Sequence, residues 1–159
     1  MEILMPFLDR VSGNSVFLAY SLTGTLLCLN LLLLWIASGA TRAKAGIAIN
    51  PEDGVRYGAP VSDLDPPAVA RILRAHRNAE AVIYPFLLLG LLYVLAGGAI
   101  TLAAPIFAGF VIARFAHTWF YLAAKQPWRT ISFAVSLLAT LALLLADWWI
   151  LIIRWHAPS

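Results

Sequence analysis

Val16–Ala37 reads VFLAYSLTGTLLCLNLLLLWIA, 22 residues without one charged side chain. At 1.5 Å per residue, a helix of that length crosses the roughly 30 Å of hydrocarbon in a bilayer. A cleaved signal peptide is the competing reading, because Arg10 precedes the run. The apolar core of a signal peptide covers only about 7–15 residues, so the stretch is read as a span of the mature protein. The rest of the chain agrees. Hydrophobic residues make up 62% of the 159 positions and charged residues only 12%, with a mean hydropathy of +0.84. A soluble domain carries about 25% charge and avoids large exposed apolar patches. Lipid is the natural solvent of this sequence.

Three more spans follow. A polar segment runs from Ser38 to about Asp65, and Asp65-Pro66-Pro67 then signals a helix start, an acidic cap with proline in the first turn. That helix passes through the polar stretch Arg71–Glu80 into the apolar run Ala81–Ala96, with a bend expected at Pro85 and a short turn at Gly97-Gly98. The third span begins at Ile100, carries Arg114 and His117, and ends near Ala124 before Lys125-Gln126-Pro127. The fourth covers Ile131–Ile153, interrupted by Asp147, with Trp148, Trp149 and Trp155 suited to an interfacial aromatic belt. Residues 1–159 are therefore expected to form one all-α membrane domain, an integral four-helix bundle with spans at approximately 16–37, 67–96, 100–124 and 131–153.

The eleven basic and eight acidic residues leave a net charge of +3. The basic residues form no long run and flank membrane segments, so bilayer orientation explains them better than nucleic acid. Arg42, Lys44 and Arg56 in the first loop, with Lys125 and Arg129 in the third, outnumber Arg10 and Arg154 on the other side. The positive-inside rule places loops 38–65 and 125–130 in the cytoplasm and both termini opposite. Cys28, the single cysteine, excludes an internal disulfide and a cysteine-based metal site and reads as a small packing residue. No metal site is expected.

Ionisable residues inside a span are functional candidates by default. At 100° per residue, Arg71, Arg74 and Asn78 share a face of the second span with Arg77 at its border, and Arg114, His117, Tyr121 and Lys125 form a stripe on the third. Such a cluster suits a small anion, because guanidinium groups fork onto carboxylate or phosphate. The bland alternative is snorkelling to lipid phosphates. Glu80 lies on another face, open to Arg77 or a neighbouring chain, and Asp147, near the far interface, reads as structural.

Asn50-Pro-Glu-Asp53, Arg74-Ala-His-Arg-Asn78, Ile83-Tyr-Pro-Phe86 and the pattern Arg-x-x-His-Thr-x-x-Tyr over Arg114–Tyr121 occur in order. Together they resemble the MAPEG family, the membrane-associated proteins of eicosanoid and glutathione metabolism, and its prostaglandin-synthase and glutathione-transferase members above all. The resemblance implies a homotrimer of four-helix protomers with glutathione bound between subunits near the cytoplasmic side. By that resemblance Arg42, Arg74, Arg77, Asn78, His117, Tyr121 and Arg129 bind the cofactor. Arg129 and Thr130 match a thiol-activating pair, and Asp53 matches an acid that pairs with Arg129 or assists proton transfer. The implied activity is a glutathione-dependent transferase, peroxidase or isomerase acting on a lipophilic substrate that arrives through membrane lipid. A non-catalytic lipid-binding scaffold is the alternative the same family contains, and a channel ranks last because the polar residues cluster at one end.

The sequence also departs from the family pattern. The acid expected three residues after Asn78 is Ala81, and Glu80 stands one residue early; Ala70 replaces another acid. Thr130 keeps a hydroxyl, Phe133 loses one, and Leu137 makes the substrate groove greasier.

Overall fold

The computed structural model describes residues 14–156, so Arg10 lies outside the described residues. Four long helices are antiparallel in chain order: α1 (Ser15–Ala45), α3 (Pro67–Leu95), α4 (Ile100–Leu122) and α5 (Trp128–His156), with a short α2 (Pro51–Tyr57) between the first two. All four long helices have the length and composition to cross a membrane.

α1 starts where Asn14 caps it, its side-chain oxygen accepting from the backbone N–H groups of Val16 at 2.9 Å and Phe17 at 3.3 Å. Replacing this cap, Asn14→Ala, is expected to cost about 1 kcal/mol, seen as a lower midpoint of thermal unfolding in detergent. The helix does not stop at Ala37 with the apolar run. It continues through Ser38–Ala45 to Gly46, which takes φ +62 as the left-handed C-cap. Polarity ends a membrane span, but only a breaker ends a helix, and Ser38–Ala45 contains no proline. The extra two turns carry Arg42 and Lys44 out of the hydrocarbon on a rigid stalk.

The polar segment then folds back on itself. Asn50 and Pro51 start α2, and Ala48 bridges to the strand-like stretch around Val61, its N–H donating to the Pro60 carbonyl at 3.0 Å and its carbonyl accepting from Ser62 at 2.9 Å. Gly54 is buried beneath this bridge, where a β-carbon would meet Val61 Cγ2 at 2.5 Å. Asp65 does not cap α3. The N-cap is Pro66, which offers no side chain, and the Asp65 carboxylate instead takes the Arg42 guanidinium through Nε at 3.1 Å and Nη2 at 2.8 Å. A full ion pair outcompetes a weaker carboxylate–amide cap, and it ties the end of α1 to the start of α3.

α3 runs unbroken through Pro85 and ends at the tight turn Ala96–Ala99, where Gly97 has φ +70. Tyr93 closes that turn by accepting from Ala99 N–H at 3.0 Å and donating to Ala99 carbonyl oxygen at 3.1 Å. A methyl at Gly98 would overlap the Tyr93 ring. Gly98→Ala is therefore expected to destabilise the fold by about 1–3 kcal/mol, read from thermal unfolding in detergent.

The core lies along the seam of α1, α3 and α4, closed by α5. Phe86 stacks on Phe110 with ring centroids 3.5 Å apart, meets Phe107 edge-on at 5.9 Å, and Tyr20 covers the other side of Phe107. Leu27, Leu34, Ile83 and Leu143 complete it. Inside this seam Asn30 is buried and its amide oxygen accepts from Thr118 at 3.1 Å, a polar tie between α1 and α4. Asp147 is also buried, with no hydrogen-bond partner for either oxygen among the described residues. Even in their most apolar windows, no span buries more than 33% of its residues within the chain. The outward faces are leucine, isoleucine and tryptophan, with Trp148, Trp149 and Trp155 exposed at one end.

Candidate functional site

The polar groups converge where α4 turns into α5. Helix α4 ends at Leu122, the chain reverses at Ala124 with φ +56, and α5 begins at Trp128. This places Arg129 and Thr130 on the first turn of α5 rather than in a loop, where their backbone is held by N–H bonds to the carbonyls of Lys125 and Pro127. It also removes Lys125 from the α4 stripe, because the helical register ends three residues before it.

Arg129 is fixed on two sides. Its guanidinium carbon lies 5.0 Å from the centre of the Tyr121 ring, a cation–π contact. The Gln126 amide fits with its oxygen toward Arg129, accepting from Nε at 3.1 Å and Nη2 at 2.7 Å, while its nitrogen donates to Thr130 Oγ1 at 3.0 Å. One glutamine thus aligns both members of the arginine–threonine pair. His117 completes the corner: its Nδ1 is 2.9 Å from the Arg129 carbonyl oxygen, and its ring packs against Tyr121 and Phe133. The same carbonyl accepts from Ser132 Oγ at 3.1 Å.

One turn deeper, Arg114 is fully buried at 0% exposure and donates from Nη2 to Asn78 Oδ1 at 3.2 Å. Its Nε and Nη1, and Nε2 of His117, have no hydrogen-bond partner among the described residues. Arg71 reaches across from α3 toward the Tyr121 carbonyl at 3.4 Å. Arg71, Asn78, Arg114, His117, Tyr121 and Arg129 therefore meet within the one chain.

Arg74 and Arg77 do not join them; both are exposed. Asn78 sits at the edge of the buried stripe defined by Ile72, Ala75, Ala79 and Ile83, and a further 40° of rotation carries Arg74 out of the bundle. Arg42 and Asp53 are elsewhere again, lining a cavity of about 470 Å³ between the end of α1 and α2 together with Asn50 and Tyr57. That volume lies within the usual range of small-molecule pockets. There Asp53 accepts from Asn50 Nδ2 at 3.1 Å, and it does not meet Arg129. The expected residues thus form an inner cluster, an exposed pair and a loop cavity. An apolar groove of about 320 Å³, lined by Ile112, Ala116, Trp128 and Val135, runs along the lipid side of α4 and α5.

The charge balance of the cluster is one-sided. Among the described residues the ion pairs are Arg42–Asp65 and the His76–Glu80 contact, so Arg71, Arg74, Arg77, Arg114 and Arg129 have no carboxylate partner. A donor set of this kind suits an anion with more than one carboxylate. Gln126 and Asp65 are the two positioning residues that motif reading passes over. Gln126 was legible from its spacing, three and four residues before Arg129 and Thr130, whereas Asp65 was masked by its resemblance to a helix cap.

Comparison with known proteins agrees with this architecture. Residues 20–147 match the MAPEG family. Prostaglandin E synthase of Homo sapiens is 34% identical over 146 residues, which cover 91% of this chain and 96% of that protein. The prostaglandin E synthase of Equus caballus is 35% identical over 145 residues, 91% and 94% of the two chains. Microsomal glutathione S-transferase 1 of Homo sapiens is 36% identical over 144 residues, 87% and 93% of the two. With four membrane-spanning helices, a family match over most of its length and relatives aligned nearly end to end, the chain belongs to the MAPEG family.

Proposed function

We propose that this protein is a glutathione-dependent membrane transferase that acts on lipophilic electrophiles, with peroxidase or isomerase chemistry open to the same site. The observation that carries the reading is the Arg129–Thr130 pair, aligned by Gln126 and Tyr121 on the first turn of α5. A positioned guanidinium beside a positioned hydroxyl is what an ionising sulfur requires. Glutathione supplies the thiol nucleophile, whose free pKa is about 8.5. Arg129 favours the charged form of that sulfur, Thr130 offers it a hydrogen bond, and the apolar flanks of α4 and α5 keep bulk water away.

The donor set fits the tripeptide. Glutathione brings two carboxylates and one ammonium, and the arginines of this end lack acidic partners of their own. Arg74 and Arg77 are exposed on the protomer, and Arg42 and Asp53 line a separate cavity. A homotrimer with glutathione between subunits gives these divided groups one ligand, the exposed arginines of one copy facing the loop cavity of the next. The loops between α1 and α3 and between α4 and α5 lie on the cytoplasmic side in this reading, and both termini lie opposite. The lipophilic partner enters laterally from the bilayer, along the apolar outer faces of the helices.

Isothermal calorimetry on the detergent-solubilised protein tests the reading. Micromolar to millimolar binding of glutathione is expected, and Arg74→Ala is expected to weaken it by at least about tenfold, since a charge-assisted bond contributes about 1.5–3 kcal/mol. The second reading, a lipid-binding scaffold without catalysis, rests on one feature. Position 81 is alanine, and Glu80 is turned to His76 and Tyr84 instead of standing in for the missing acid. Absence of glutathione binding at millimolar concentration would favour the scaffold.

A further inference from the structure

The apolar groove along α4 and α5 lies apart from the residues assigned above. On α4 it runs over Gly109, Ala113 and Ala116, spaced at i, i+4 and i+7, so small side chains leave one face of the helix hollow. Ile112 of α4 and Val135 of α5 stand on either side of it, both exposed. Phe120 and Trp128 mark one end, their ring centroids 6.1 Å apart. Ser132 is the one hydroxyl among the lining residues, and it already donates to the carbonyls of Trp128 at 2.8 Å and Arg129 at 3.1 Å. An occupant therefore needs no polar group along the groove. Thr130 stands about 140–160° round α5 from Trp128 and Val135, so this is not the face that offers its hydroxyl to a sulfur.

The dimensions select what fills it. From Gly109 to Phe120 the groove follows α4 for about 16 Å, close to half of a hydrocarbon layer roughly 30 Å thick. Its volume of about 320 Å³, spread over that length, leaves a cross-section of about 20 Å², a small part of what a helix about 10 Å across would need. A single hydrocarbon chain fits this width and a helix of another protein does not.

The end marked by Phe120 and Trp128 carries the signs of a headgroup level. Trp119 and Trp128 are both exposed there, and tryptophan collects at the membrane–water interface. Lys125 stands in the turn between α4 and α5 at the same end, exposed and, among the described residues, without a carboxylate partner. We propose that the groove is a binding site for an anionic phospholipid, with one acyl chain lying along α4 from Phe120 to Gly109 and the headgroup phosphate at Lys125. The lipid belongs to the leaflet on the Arg129 side, since the groove reaches from that interface to about the midplane. A lipophilic substrate could share the hydrocarbon chain, but the unpaired lysine at the interface favours a phosphate. This site does not depend on the function proposed above.

Native mass spectrometry of the delipidated protein in mild detergent tests the site. Dioleoylphosphatidylglycerol is expected to bind about fivefold more tightly than dioleoylphosphatidylcholine, the preference that one lysine near the headgroup supplies. Lys125→Ala should bring the two lipids to within about twofold of each other. A β-carbon at Gly109 would meet nothing within 4 Å, so Gly109→Leu combined with Ala116→Leu fills the groove from inside. That variant should bind both lipids at least about tenfold more weakly, with its unfolding temperature in lipid-free detergent unchanged or raised. If it does not fold, Lys125→Ala, on an exposed turn, decides the point. A folded variant with a filled groove that binds lipid as the wild-type protein does would overturn the site, and so would equal affinity of the wild-type protein for the two lipids. Lipid that binds only to dissociated single chains would give the groove to a neighbouring copy. Displacement of the bound lipid by a long-chain alkenal would give it to a substrate, and either result overturns the assignment.

Discussion

Arg129→Ala is expected to lower the rate of glutathione conjugation to a lipophilic electrophile by about 10²–10³-fold, the usual cost of removing one charge-stabilising donor from a reacting site. In the proposed site other arginines take the carboxylates, so the affinity for glutathione should stay within about threefold and the loss should fall on the chemical step. Two controls separate activation from collapse. Arg129→Lys keeps the charge but loses the fork that engages Gln126 and the plane that lies over Tyr121, so it should recover only part of the rate. Gln126→Ala leaves both Arg129 and Thr130 in place without their shared anchor, and should cost rate with little change in binding. Ultraviolet absorbance of the bound thiolate near neutral pH reads the same effect without turnover. A wild-type rate in Arg129→Ala would remove the arginine from the chemistry altogether.

Arg114→Met is expected to behave in the opposite way for stability. Arg114 is fully buried, yet among the described residues only Nη2 of its three guanidinium nitrogens has a partner, the amide oxygen of Asn78. Burying a cation with so few bonds is costly, and replacing buried charges by apolar side chains of similar volume is often neutral or stabilising by about 1–4 kcal/mol. The methionine variant should therefore unfold at the same temperature as the wild-type protein or a higher one, while glutathione-dependent turnover falls by at least about tenfold. Asn78→Leu makes the converse case, leaving the buried guanidinium with no acceptor, and should destabilise by about 1–3 kcal/mol. If Arg114→Met lowered the unfolding temperature sharply and kept full activity, Arg114 would be a packing residue and the cluster would lose its deepest cation.

The number and order of the spans were legible because hydrophobicity is summed over some twenty residues, and single exceptions such as Asn30 or Asp147 do not alter the sum. The ends were less so. α1 outruns its apolar stretch by two turns because Ser38–Ala45 contains nothing that stops a helix, and α5 begins three residues before Ile131. The short α2 and the Ala48–Val61 bridge were hidden in a segment read only as polar, although Asn50-Pro51 opens a helix and Gly58 closes it with φ +63. Local signals fix where a turn can form, and the neighbours decide which partner wins: Asp65 looks like a cap and is drawn off by Arg42.

For the candidate site the division is sharper. The amino-acid order alone determined a four-span membrane protein, the cationic excess at one end, and a set of arginines suited to a small anion. Periodicity also placed Arg114, His117 and Tyr121 on one stripe, since three points on a single helix need only its pitch. Which helices face each other, and at what rotation, is settled by packing between segments far apart in the chain. Only the tertiary structure could therefore split the α3 arginines, turning Arg71 and Asn78 inward while Arg74, about 40° further round than Asn78, and Arg77 stay exposed. It alone joined Arg129, Tyr121, Gln126 and His117 at one corner, and set Arg42 and Asp53 around a different cavity. A helical pitch is a property of the backbone, whereas the direction a face points depends on every other helix that buries its own apolar stripe.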